Sequence, residues 1–280
     1  MTSGRTPGTT PDLPPRRRIS QERVAETVAA ELRRRILAQA GGQDGFRLPT
    51  QDHLMAEFGV SHPSIREAIR ILETEGLVTV RRGKVGGAEV HLPDESSAAY
   101  HLGLALQAGR VQVADLAAGL RMLEPLCVAA CALRDDRATA VIPLLRASID
   151  RSIEQLGSGP EFTHAAREFH GLVVELCGNA TMRYVVNALV ALWSVQEQAW
   201  AERVYREGQY PSRADAREVV KSHEHLLAAI AAGHSEQAEH RSRSHLAAAQ
   251  AVLLDQLGVN IVDATSADVR RAFLNAADHS

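Results

Sequence analysis

The stretch FGVSHPSIREAIRILETEGLVTV, residues 58–80, decides how the first third of the chain folds. Ser61 offers an N-cap hydroxyl, and Pro63 falls in the first turn, where its missing N–H costs nothing. Ile65, Ala68, Ile69 and Leu72 recur at helical spacing, so a helix with one buried stripe is predicted. Gly76 closes that helix, LVTV predicts a strand, RRGKVGG a basic glycine-rich turn, and AEVHL a returning strand.

Upstream, residues 20–39 place Val24, Val28, Leu32, Ile36 and Leu37 at helical spacing. FRLPTQDHLMAEFGV then predicts a short helix capped by Thr50, with Leu54, Met55 and Phe58 on one face and Gly59 as its stop. Helix, helix, tight turn, helix, hairpin is a winged helix-turn-helix pattern. Its boundaries are set at 19–92, after a basic tail at 1–18 whose Pro, Gly, Thr and Arg content predicts disorder.

Downstream, HLPDESSAAY opens a segment expected to be a linker, 93–111. Six helical segments follow, near 112–133, 137–157, 160–178, 181–206, 213–232 and 235–257. No strand-like alternation appears among them. The expected fold class is therefore mainly α: a winged helix-turn-helix with a small β-hairpin wing, then an all-α antiparallel bundle over 112–257. A tail at 258–280 has room for a short helix.

Charge is uneven along the chain. Residues 1–92 hold 14 Lys+Arg against 11 Asp+Glu, and the remainder 17 against 23. A basic front and an acidic back suit a nucleic-acid module joined to a non-binding one. No apolar run is long enough to suggest a bilayer span, and the first residues lack the apolar core of a secretory signal. Three cysteines, Cys127, Cys131 and Cys177, form no paired framework; they are read as reduced thiols of a cytoplasmic protein.

A helix that reads DNA must bring short polar or basic side chains at its N-terminal end to base edges. Here His62, Ser64 and Arg66 occupy that end, with Arg70 one turn on. Arg66 suits a bidentate contact to guanine. The N-termini at Thr50 and Ser61 offer backbone N–H groups to phosphate. Arg81, Arg82, Gly83 and Lys84 at the hairpin tip suit the neighbouring minor groove or its phosphates. The alternative is a solvated face, with Arg66 and Arg70 paired to Glu67, Glu73 or Glu75.

LPTQDHLMAEFGVSHPSIREAIRILETEGLVTVRRG resembles the N-terminal domain of GntR-type bacterial regulators, over about residues 20–92. The resemblance implies a DNA-contacting role for Arg66. The family often has arginine where this chain has Asp52 and His62, which implies a thinner phosphate contact on that side or a different preferred operator.

Histidine spacing in the second half suggests a shared site. Gly233 breaks two helical segments, with His223 ten residues before it and His245 twelve after. At about 1.5 Å per residue both lie at similar height in a helical hairpin. The apolar stripes turn His223 and His245 toward the core, and His170 beside Phe169 and Val173 also points inward. Spacing leaves two readings open: a site for zinc or another first-row ion, or three core histidines bonded to carbonyls or carboxylates. His225 is out of phase and expected at the surface, with His234 and His240 near the turn.

DLAAGLRMLEPLCVAACAL, AAREFHGLVVELCGN, HEHLLAAIAAGH and HLAAAQAVL resemble the all-helical ligand domain of the FadR branch of GntR regulators, the FCD type. That resemblance implies a divalent metal on His170, His223 and His245 beneath a pocket for a small carboxylate effector. It also assigns Arg121 to the effector, where the residues alone offer Glu124 as its partner. Ala166 stands where the family usually has an acidic metal ligand. The function expected is that of a transcriptional regulator, a repressor by default, acting as a homodimer on a pseudo-palindromic double-stranded operator. A direct metal sensor and a metal-dependent hydrolase are the alternatives, the last lacking any H-E-x-x-H, nucleophile elbow or phosphate loop.

Overall fold

The structure is a computed structural model that describes residues 21–39, 47–81, 87–92 and 95–265. The N-terminal tail 1–18, hairpin-tip residues Arg82, Gly83 and Lys84, and the terminal helix expected after residue 265 lie outside the described residues. The chain divides into two units, 1–93 and 94–280.

The first unit is built from α1 (Gln21–Ala38), α2 (Gln51–Phe58), α3 (His62–Thr74), β1 (Val78–Arg81) and β2 (Gly87–Val90). Its core gathers Val28, Leu32 and Ile36 of α1, Leu54 of α2, and Ile65, Ala68, Ile69 and Leu72 of α3. Each such aliphatic side chain contributes about 1.5–3 kcal/mol of burial. Leu37, expected on the buried face of α1, is half exposed, because it lies about 100° around the helix from Ile36, beyond the stripe formed by Ala25, Val28, Ala29, Leu32 and Ile36. The strands pair antiparallel, Val78 opposite Val90 and Val80 opposite Ala88. Leu48 N–H donates to Ala88 O at 2.9 Å, which ties the approach to α2 onto the wing. Gly59, at φ 63°, takes the left-handed turn between α2 and α3 that a side chain would strain.

The second unit is helical: α4 (Glu95–Ala108), α5 (Val113–Leu133), α6 (Arg137–Ala140), α7 (Ile142–Glu154), α8 (Pro160–Glu175), α9 (Ala180–Arg206), α10 (Arg213–Ala231) and α11 (Ser235–Leu257). Three expectations are corrected. The expected linker 93–111 carries helix α4, whose Ala99 is fully buried; a Cβ on Gly103 would lie 2.7 Å from Leu192 of α9 and 2.8 Å from Ala264. The stretch read as one helix over 137–157 breaks at Val141, one residue before α7 begins, with Pro143 in its first turn. The start of the expected tail, up to residue 265, folds back: Val262 N–H donates to Val111 O, Val113 N–H to Asn260 O, and Gln196 holds the Asp263 backbone.

Helix α5 packs along α11 and also meets α8, α9 and α10. By length and mean hydropathy it is apolar enough to cross a membrane, contrary to the expectation that no such run exists. Half of its most apolar window is buried in the unit, and Arg121 and Glu124 lie within it. A place in the bundle accounts for the apolarity of its buried face, while Met122, Leu126 and Leu133 lie exposed. Pro125 leaves the carbonyl of Arg121 without its helical donor. Arg243 of α11 supplies one, with NH1 3.1 Å from that oxygen.

Candidate functional site

In the first unit, α3 carries the predicted reading face. His62 and Arg66 are exposed, and Arg66 has no ion-pair or hydrogen-bond partner among the described residues. The acids that could neutralise it are engaged elsewhere. Glu75 takes a forked pair from Arg33 at 2.8 and 2.5 Å, and Glu73 accepts from Val80 N–H. Arg70 is exposed and sits 3.5 Å from Glu67. Thr50 accepts from His53 N–H and so orders the start of α2; the exposed Asp52 lies in that first turn.

Ser64 does not join the reading face. Helical phase places it with Ile65 and Ala68, it is 4% exposed, and its Oγ lies 3.1 Å from Ser61 Oγ. Ser61 has N-cap backbone angles, but its hydroxyl makes no cap bond. Arg81 ends β1, and its side chain, like Arg82, Gly83 and Lys84, lies outside what is described.

In the second unit, α8, α10 and α11 bring His170, His223 and His245 together. Their Nε2 atoms form a nearly equilateral triangle: 3.3 Å from His170 to His223, 3.1 Å from His223 to His245, and 3.3 Å from His245 to His170. The centre of such a triangle is about 1.9 Å from each corner, close to the roughly 2.0–2.1 Å of a zinc–imidazole bond. All three histidines are buried. Phe169 stacks on the His223 ring at 4.3 Å and 9°, which sets its plane.

Glu124 fixes the tautomer of His170. Its carboxylate lies 2.5 Å from His170 Nδ1, so Nδ1 carries the proton and Nε2 turns a lone pair inward. Burial, together with the neighbouring histidines and Arg167, lowers the pKa of His223 well below the usual imidazole range. The same causes push His245 down to about 3. Protons are thereby disfavoured where three basic nitrogens converge. The donor set fits a divalent ion, and three protein ligands leave a position for water or a carboxylate. Ala166 is buried and supplies no ligand; the nearby acid is Glu124, acting on the far side of the imidazole.

Arg121 is half-buried and donates to Gln250 Oε1 at 2.6 Å; Glu124 is not its partner. His225, His234 and His240 are exposed. Cys127, Cys131 and Cys177 are free and buried; burial raises the Cys131 pKa to about 12, so that thiol is an inert core residue. Sequence reasoning missed the role of Glu124. The signal for it is phase: Leu116, Leu120, Glu124 and Val128 are four apart on the buried face of α5. Also missed was Arg167, one turn before His170, which pairs with Glu197 and lies 5.9 Å from the Trp193 ring centre.

Residues 24–86 match the family described as bacterial regulatory proteins, gntR family, and residues 115–248 match the FCD domain. The chain is 27% identical over 180 residues to the HTH-type transcriptional repressor NanR of Citrobacter rodentium, a match covering 62% of this chain and 66% of that protein. It is 28% identical over 167 residues to NanR of Klebsiella aerogenes, covering 59% and 62%. The chain thus spans somewhat under two thirds of the length of these relatives. A solved GntR structure from Streptococcus agalactiae aligns over 81% of this chain and 98% of its own, with a TM-score of 0.61 and 22% identity, which shows a shared fold. With a GntR helix-turn-helix domain followed by an FCD domain, the chain belongs to the GntR family of bacterial transcriptional regulators.

Proposed function

We propose that the protein is a ligand-responsive repressor that works in the cytoplasm as a homodimer on a pseudo-palindromic operator. The observation that carries this is Arg66: exposed, unpaired and two turns from the C-terminal end of a helix whose other face is core. In that place it suits a bidentate contact to guanine, with His62 and Arg70 beside it and the N-termini of α2 and α3 on phosphate. Met122, Leu126 and Leu133 share one exposed face of α5 and support association with a second copy. Two copies match two half-sites.

In the helical unit, His170, His223 and His245 would hold zinc or another first-row ion, and Glu124 would orient His170. The ion supplies a Lewis-acidic position for a small carboxylate effector. Arg121, three residues before Glu124 on α5 and half-buried, would contact that acid. The effector controls DNA binding by favouring one of two arrangements of the protein, which requires unequal affinity for them.

The test is operator affinity, by fluorescence anisotropy, for metal-free protein, zinc-loaded protein, and zinc-loaded protein with a panel of small carboxylic acids. An acid that shifts affinity only when zinc is bound supports the proposal. A shift with zinc alone, indifferent to every acid, would make the ion itself the signal.

A further inference from the structure

In the helical unit, buried hydrogen-bonding groups are left unspent. Arg167 uses NH2 on Glu197, but its Nε and NH1 are buried without a partner. Trp193, fully buried beneath Arg167, has an unpartnered Nε1–H. Gln250, whose oxygen accepts from Arg121, has an unpartnered Nε2. Glu124 Oε2, on the carboxylate that holds His170, is an open acceptor, and His223 Nδ1 is also unpartnered, a further donor when Nε2 keeps its lone pair for the triad.

Each such group destabilises the protein while it is buried and unpaired. A purely structural arginine would spend both edges of its fork on Glu197. Arg167 stands three residues before His170 on α8, hence on the same helix face one turn away, with Cβ atoms about 5–6 Å apart. A guest that satisfies this surround must be rich in acceptors and poor in donors. An ammonium group would meet open donors nearly everywhere, which disfavours amino acids.

We propose that Arg167 and Trp193 form a second acid-binding subsite, so that the effector is a short diacid with one carboxylate at the histidine triad and the other on Arg167. This rests on the reading of the helical unit as a metal-dependent acid-binding domain. It adds the chemical class of the effector and two residues that select it.

The test is calorimetry on zinc-loaded full-length protein. Malonate, succinate and glutarate are compared with propionate, butyrate and valerate, and aspartate serves as the ammonium-bearing match to succinate. At least one diacid should bind about tenfold or more tightly than every monoacid and than aspartate, as expected for one added charge-assisted pair. In Trp193→Phe, which keeps an aromatic ring and removes the N–H, the advantage should narrow. In Arg167→Lys, which keeps a charge for Glu197 but not the fork, it should fall to within about threefold. Zinc content is measured on every sample. Diacids and monoacids binding alike, or a diacid advantage that survives in both variants, would overturn the subsite and leave the acid-binding domain standing. Zinc bound but no acid binding at all would overturn both.

Discussion

At the scale of single residues, the site depends on which atom of each side chain is already committed. His170 gives Nδ1 to Glu124 and keeps Nε2 for the triad; His223 is locked by Phe169. Glu124→Gln keeps an acceptor but removes the charge that raises imidazole basicity, so zinc affinity should fall about 10–100-fold, measured by competition with a chromophoric chelator. His223→Ala removes one of three ligands. Bound zinc and thermal midpoint should drop together in the same sample; a zinc content equal to wild type would remove His223 from the site. Much of this was legible beforehand. His223 and His245 stand almost equally far from Gly233, and a helical hairpin converts equal counts into equal height. The Glu124–His170 bond was not legible, because it joins residues 46 apart through the packing of two helices, which spacing within either helix does not report. Ser64 shows a different limit. A small hydroxyl fits a buried or an exposed position, and only its phase with Ile65 and Ala68 reveals which.

At the scale of elements, periodicity located the long amphipathic helices to within a few residues. It failed where packing uses small side chains. Helix α4 hides in a segment rich in Ala, Ser and Gly because its contact with α9 is made by Ala99 and Gly103, which carry little apolar signal. The join between α5 and α11 has a specific device. Pro125 frees the Arg121 carbonyl, and Arg243 reaches across to it. Arg243→Met keeps most of the stem and removes the donor, which should destabilise the protein by about 1 kcal/mol in urea with an unchanged slope. In a Pro125→Ala background the helix can supply its own N–H, so the same substitution should cost roughly half as much or less. Equal costs in the two backgrounds would mean that the Arg243 bond contributes nothing through that carbonyl.

At the scale of the whole molecule, two units carry two separate chemistries: an unpaired arginine on a DNA-reading helix, and a buried set of metal-capable nitrogens. The family membership joins them in one regulator. Removing metal should therefore act on residues 94–280 first. At zinc a hundredfold above its dissociation constant, the folded state gains about 2.7 kcal/mol, so chelation should lower the thermal midpoint of the helical unit by several degrees. Amide hydrogen exchange should show the loss in α8, α10 and α11 and leave α1–α3 unchanged. Loosening of α1–α3 to the same degree would contradict a site confined to the bundle.

Reading of an operator by α3 through Arg66 is tested most directly by selection of genomic DNA fragments by the purified protein, run in parallel with Arg66→Ala. The native chain should enrich a pseudo-palindrome. Arg66→Ala should lose that enrichment, with operator affinity down about 10–100-fold and the thermal midpoint unchanged. Enrichment of the same sequence by a folded Arg66→Ala protein would contradict the placement of the reading face on α3.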